Sequence, residues 1–471
     1  MERLAFTGSV PPPTTAVSSP GIRDRVSTVA DPSEEGIGTH DLLAYNALLA
    51  FTFVLFVRPQ DQLPFLEPLH LAEVTGVFAV LALVFGRLSR NRSVSQLTPE
   101  LIAVLAFGGV MLATAPFSFW PGGAVAVFTD LFSKVIVVFA LMLNTVTTRA
   151  RLERFIAVVV LGTSYVATRT VIDYLRGINL VEGGRAGGAV GGLFGNPNDM
   201  ALNMVAFLPL AIVIALGRGR PLLRLVAAAG VPAIAAAIIF SKSRGGTLGL
   251  AAMMVVLLYQ LRRVRPAIAA FVIAATVATI PMLPVSFTER MSSIFNPDED
   301  ATGSREARKR LLRDGYQAFL ENPITGLGAG QFMNYNPINR KEEAWRETHN
   351  AVLQVASELG GGGLIIFVAL VSSGFIGALK TGAALRRARP PRRARSPDTS
   401  RVRREPLELY AAALIASLTG WLVAAMFASV AYYWTLYLVL GLATALRNVS
   451  VVSTRPTTRG RVPVPASVPT A

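Results

Sequence analysis

The chain of 471 residues contains no cysteine. That excludes disulfides, thiolate metal sites and a thiol nucleophile. Histidine is nearly as scarce: only His40, His70 and His349 occur, so a metal centre would need mostly carboxylate ligands. Charged residues make up just 16% of the chain. Hydrophobic residues reach 52% and the mean hydropathy is +0.49, far from the profile of a soluble globular protein. No signal peptide is visible. Residues 1–36 are rich in Pro, Ser and Thr and read as a disordered cytoplasmic lead rather than an apolar targeting core. Residues 451–471 read in the same way as a disordered cytoplasmic tail.

What is present is a succession of apolar runs long enough to cross ~30 Å of hydrocarbon. Twelve can be marked: 41–57, 70–87, 101–117, 121–143, 152–175, 199–217, 222–240, 245–261, 266–283, 351–379, 407–428 and 431–447. The first is short, and the last two are parted only by a tight turn at Ser429-Val430. The expected fold is all-α, a polytopic helical membrane domain over residues 37–450.

A net charge of +16 could suggest nucleic acid, but its distribution points elsewhere. Arginine and lysine gather in every second loop: Arg87, Arg90 and Arg92, then Arg149, Arg151 and Arg154, then Arg218, Arg220 and Arg224, then Arg262, Arg263 and Arg265. The run from Lys380 to Arg404 continues the series. The alternate loops carry few basic residues, which is the positive-inside pattern and puts both termini in the cytoplasm. The basic excess is then topology, with attraction to anionic lipid as a secondary effect, and no nucleic-acid partner is expected. With twelve spans the loop 284–348 falls outside the cytoplasm, together with the glycine-rich stretch 183–198 and Ser241-Lys242-Ser243-Arg244. ATP is absent there, so an enzyme at this surface needs a substrate that arrives already activated.

The large loop holds a predicted amphipathic helix over 303–321. Leu312, Gly315, Tyr316 and Phe319 form one stripe, Arg305 and Arg308 share that face, and Arg310 and Asp314 point away. An arginine on a packed face needs an anion: a structural pair with Glu342 or Glu343, or a phosphate. Gly326-Leu-Gly-Ala-Gly330 then forms a glycine-rich turn without the context of a nucleotide-binding loop. Arg244 heads a helix whose amides favour an anion, and its guanidinium can grip phosphate oxygens or simply snorkel to the interface. Gly195-Asn196-Pro197-Asn198-Asp199 reads as a turn and a capped helix start.

Within the spans, Asp130–Lys134 and Arg169–Asp173 are i,i+4 pairs, the first read as structural and the second within reach of the outer mouth. Thr348 reads as an N-cap, with His349 in the first helical turn, where the helix dipole disfavours imidazolium. A neutral imidazole there could accept a proton or serve as a hydrogen-bonded structural group. Asn350, Gln354 and Glu358 make a polar stripe down one face of the following helix.

Leu193-Phe-Gly-Asn-Pro-Asn-Asp199, Ser241-Lys-Ser-Arg-Gly245, the helix led by Arg305, Asn322-Pro-Ile-Thr-Gly-Leu-Gly-Ala-Gly330 and Thr348-His-Asn-Ala-Val-Leu-Gln-Val-Ala-Ser-Glu-Leu-Gly360 occur in that order. In this order the chain resembles the O-antigen ligase and O-antigen polymerase superfamily of bacterial envelope glycosyltransferases, with a core at about 190–370 and a GT-C-like layout. The resemblance implies a multi-pass protein of the bacterial inner membrane that works on the periplasmic side. It implies metal-independent, cofactor-free transfer of a glycan from a polyprenyl diphosphate to a glycolipid, glycan or protein acceptor. By the same resemblance Arg244 and Arg305 match diphosphate-binding arginines and His349 the loop histidine. Arg169, Arg308, Asn198 and Asn350 are secondary substrate-binding candidates. Direct displacement predicts inversion at the anomeric carbon. A polymerase of the same superfamily is the nearest alternative. A flippase for lipid-linked glycans is the alternative from another class, and it would call for internal repeats and paired broken helices.

Overall fold

Helix starts follow local capping chemistry. Thr98, Thr148 and Ser243 each accept a backbone N–H from the first turn that follows them, and five helices open on a proline, whose missing N–H costs nothing there. The computed structural model describes residues 39–181, 183–292, 304–335, 346–387 and 399–454. The expected disordered lead over 1–36 lies outside them, as do the tail beyond 454 and the partners Glu342 and Glu343.

The chain runs through α1 (Thr39–Val57), α2 (Leu71–Leu88), α3 (Pro99–Thr114), α4 (Pro121–Val127), α5 (Ser133–Thr145) and α6 (Arg149–Leu175). A two-stranded antiparallel ladder follows, β1 (Leu180–Val181) and β2 (Arg185–Ala186). Then come α7 (Pro197–Leu216), α8 (Pro221–Phe240), α9 (Arg244–Val264), α10 (Pro266–Thr279), α11 (Val285–Ser292), α12 (Ser304–Glu321), α13 (Ala351–Arg387), α14 (Thr399–Ala425) and α15 (Trp434–Thr454).

Eleven helical stretches are long and apolar enough to span a membrane. A twelfth is reached if Pro266–Met282 and Val285–Ser292, bent by 98° against each other, count as one. The protein is thus an all-α, multi-pass membrane protein. The first run, short in sequence, gains length because the helix continues past Val57 through a turn at Pro59–Gln62.

Burial separates centre from rim. In α7 and in residues 406–425 of α14, 83% of the spanning window is buried, against 17% for Pro64–Leu88. The rim helix faces lipid with apolar side chains such as Val77, Phe78 and Phe85. The centre is close-packed: Phe56 of α1 meets Phe207 and Trp434 at ring separations of 5.4 and 5.2 Å. In the second half of α15, Arg447 grips the buried Glu100 at the start of α3 through both carboxylate oxygens, a bidentate pair that fixes two distant helices.

Three departures from ideal helix shape the interior. A π turn at Phe128–Phe132 joins α4 to α5. Asp130 and Lys134 are both exposed, and Asp130 accepts from Thr129 Oγ1 at 3.1 Å; among the described residues they do not form the expected ion pair, because the extra residue of the π turn rotates the spacing. The 98° bend turns α11 away from α10. Finally, α13 breaks at Gly360, where φ is +66° and ψ −168°, so Ala351–Leu359 is a separate segment stacked on the long span.

Candidate functional site

Several chain turns meet at one end of the bundle. They are the start of α7, the α8–α9 turn, the start of α13 and the turn between α14 and α15. Contacts fix this directly. Gly245 packs so closely on Phe427 that a Cβ there would sit 2.6 Å from the phenylalanine Cβ, and Gly246 packs against Ala201 in the same way. Two residues beyond Phe427, Ser429 reaches the loop that carries the histidine.

His349 lies ahead of the helix rather than in its first turn. Its φ is +51°, and the helix begins at Ala351 with Asn350 as the cap, whose Oδ1 accepts from Leu353 N at 3.0 Å. Thr348 therefore does not cap; its hydroxyl lies 3.1 Å from Ser429 Oγ, and His349 N–H donates to that same oxygen at 3.0 Å. The imidazole is neutral, as expected, but mainly for a different reason. Burial, then the charges of Arg308 and Arg346, hold its pKa down to about 4.

The neighbouring carboxylates were not anticipated. Burial, then the nearby Asp199 carboxylate, push Glu347 up to about 7, with a hydrogen bond from Ser429 opposing. Tyr433 completes the group: burial, then Glu347 and Asp199, push its hydroxyl up to about 12. Only Asp199 had appeared in the sequence reading, as part of a helix start. Glu347 had no signal beyond its place two residues before the histidine.

A cationic cluster adjoins these acids. Arg185 of β2 donates from Nη2 to Asn198 Oδ1 at 2.7 Å and from Nε to the Ser241 carbonyl at 2.9 Å. Lys242 Nζ donates to the Gly183 carbonyl at 3.1 Å, and Arg290 Nε donates to the Lys242 carbonyl at 2.9 Å. The 98° bend is what lays α11, and with it Arg290, over the α8–α9 turn. Burial, then the Arg290 and Arg185 charges, lower the Lys242 pKa from the usual lysine range, with Glu289 opposing. Three like charges held this close favour an anion between them. Composition could not reveal this, because the three cations are 48 or more residues apart.

The remaining expected residues are distributed as follows. Arg244 heads α9, partly buried, between its cap Ser243 and Gly245, the residue that packs on Phe427. Arg305 lies in the first turn of α12, and its side chain falls outside the described residues. Arg308, one turn on, is the α12 arginine whose charge reaches His349. The packed face of α12 differs from the expected stripe. Leu311, Asp314, Gly315 and Ala318 are buried while Leu312 and Tyr316 are exposed, because the helix seats Gly315 against Thr348 and Leu353. Arg169 has Nη1 3.5 Å from Gln62 Oε1, and among the described residues it forms no ion pair with Asp173, which accepts from Asn179.

The polar stripe of α13 is a docking strip. Gln354 Oε1 accepts from Ala431 N at 3.2 Å, and buried Glu358 accepts from the Tyr432 hydroxyl at 2.7 Å and from Gly330 N at 2.8 Å. One residue thus joins the α14–α15 turn to the glycine-rich turn 326–330. The stretch 183–195 is similarly anchored, since Asp61 accepts from Gly191 N at 3.0 Å.

The arrangement defines a class: a multi-pass membrane protein with a polar site of cations, carboxylates and one neutral histidine at one end of its bundle. Comparison with known families refines it. Residues 228–368 match the family described as O-antigen ligase, which supports the O-antigen ligase superfamily for that segment. Residues 44–188 match a family of unknown function, and no curated protein matches the chain. The ligase-family segment contains Lys242, Arg244, Arg290, Arg308, Glu347 and His349; Arg185 comes from the other matched segment, and Asn198 and Asp199 from the stretch between them.

Proposed function

We propose that this protein transfers a glycan from a polyprenyl diphosphate to an acceptor hydroxyl at the extracytoplasmic face of the bacterial inner membrane. The observation that carries the reading is the juxtaposition, through Asn198-Asp199, of a three-cation cluster with a carboxylate–histidine pair. The first suits a diphosphate leaving group and the second an attacking hydroxyl.

In the reaction, the acceptor oxygen forms a bond to the anomeric carbon while the bond from that carbon to the diphosphate oxygen breaks. The electron pair leaves on the diphosphate, whose growing charge meets Arg185, Lys242 and Arg290, with Arg244 at the α9 N-terminus beside them. The acceptor proton passes to Glu347. His349, neutral and hydrogen-bonded through its backbone to Ser429, orients the acceptor, and the Arg308 charge helps keep the imidazole neutral. Arg305, one turn earlier on α12, is a second candidate for the diphosphate. Displacement in one step inverts the anomeric centre.

The test is transfer from a defined polyprenyl diphosphate donor by purified full-length protein. Lys242→Ala is expected to reduce turnover by ~10²–10³-fold, the usual effect of removing one donor to a developing anion. Turnover unchanged in Lys242→Ala and in His349→Ala would remove this site from the chemistry. Products divide the enzymes: glycan on a new acceptor marks a ligase, and lengthened lipid-linked chains mark a polymerase. Lipid moved across vesicles with no new glycosidic bond would favour transport instead.

A further inference from the structure

A cavity of about 210 Å³ lies at the other end of the bundle, lined by Arg149, Arg154, Arg218, Arg220 and Arg224, with Glu153 the single carboxylate among the described lining residues. The distance from the site above follows from α7. This helix starts at Asn196, the cap beside the first site, and ends at Gly217 in the cavity wall; its 20 residues at 1.5 Å each span about 30 Å. The cavity therefore cannot share a ligand's diphosphate with the His349 site.

We infer that this cavity binds a phosphate-bearing anion, the headgroup of an anionic phospholipid or free phosphate. Its walls come from three separated parts of the chain: the start of α6, the α7–α8 turn running into α8, and residues 406–410 of α14. Glu153 is already committed, since Arg149 Nε donates to it at 2.7 Å. Among the described lining residues there is no second carboxylate for Arg154, Arg220 and Arg224. Guanidinium groups match phosphate oxygens in planar, two-point geometry, and Tyr410 adds a hydroxyl to the wall. A space of this size is many times the minimum that holds one water, room enough for a phosphodiester. Apolar surface adjoins it: Leu222 and Leu225, in the first turns of α8, are 72% and 67% exposed, placed to meet acyl chains beside a bound headgroup.

The experiment uses full-length protein in detergent, with binding read by native mass spectrometry and by melting temperature. Phosphatidylglycerol, phosphatidylcholine and inorganic phosphate are titrated separately into the wild type and Arg154→Gln/Arg220→Gln/Arg224→Gln. Because loss of three positive charges can disturb insertion, a lysine triple variant at the same positions preserves the charge and removes the two-point geometry. Phosphatidylglycerol is expected to bind and raise the melting temperature, phosphatidylcholine to do neither, and the glutamine variant to bind roughly a hundredfold more weakly. The lysine variant should fall between. Saturable, arginine-dependent binding of inorganic phosphate without a lipid preference identifies free phosphate as the ligand and still supports the site. Binding of phosphatidylglycerol no tighter than phosphatidylcholine, with no phosphate binding, would overturn it. So would unchanged binding in both triple variants.

Discussion

Two ionisable residues at the site, two positions apart in the chain, are driven in opposite directions. His349 is held at about 4, so it is neutral across the physiological range and a weak base. Glu347 is raised to about 7, close to where a general base works best. The sign of the expected pH dependence follows. Proton acceptance needs the Glu347 carboxylate, so transfer should rise with pH through about 7 and then level. His349 contributes no limb between pH 5 and 9, because its charge is lost well below that window. Turnover of Glu347→Gln is expected to fall by ~10²–10⁴-fold, the usual worth of a general base, with its pH limb removed. His349→Ala should be slower but keep the limb. If the limb persisted in Glu347→Gln and vanished in His349→Ala, the histidine would be the base and the roles assigned above would be exchanged.

At the scale of elements, the glycine-rich turn 326–330 depends on how closely it can lie on α13. Gly326 has φ +65°, and a Cβ there would sit 2.4 Å from the Glu358 carbonyl carbon and oxygen. Gly326→Ala therefore meets both backbone strain and a backbone clash, and it is expected to lower the melting temperature clearly and reduce transfer. Gly362→Ala is the control: nothing lies within 4 Å of its Cβ position, and alanine favours helix by about 1 kcal/mol, so its melting temperature should hold or rise. A Gly326→Ala protein as stable as the control would mean the turn is not pinned in this way. These elements also mark how far sequence could be read. The spans were legible because hydropathy and length carry that signal. The stripe Asn350, Gln354 and Glu358 was legible as a face, though not its partner, the α14–α15 turn. Gly315 of the expected α12 stripe is buried, but the rest of that face was misjudged because Leu311 and Asp314 are buried while Leu312 and Tyr316 are exposed, and a hydrophobic-moment argument turns a helix toward its largest apolar residues. The cap moved from Thr348 to Asn350 because Ser429, 81 residues away, captures the threonine hydroxyl.

For the whole molecule, the site is assembled from β2, the α8–α9 turn, α11, the loop before α13 and the α14–α15 turn. No local motif spans these pieces; only the antiparallel succession of helices carries them to one end. The same succession sends the arginine-lined cavity to the other end and makes orientation testable as a property of the entire chain. Residues 1–471 lack cysteine, so each single cysteine substitution reports alone. Ile324 is 82% exposed in the loop on the His349 side, and Gly219 is exposed at the cavity end. With the charge asymmetry read as positive-inside, Ile324→Cys in intact spheroplasts should react with a membrane-impermeant maleimide, whereas Gly219→Cys should react only after permeabilisation. The reverse pattern would put the His349 site in the cytoplasm, where nucleotide-activated sugars are available and the need for a lipid diphosphate donor disappears. Labelling of both positions in intact spheroplasts would instead contradict the 30 Å of apolar helix that α7 places between them.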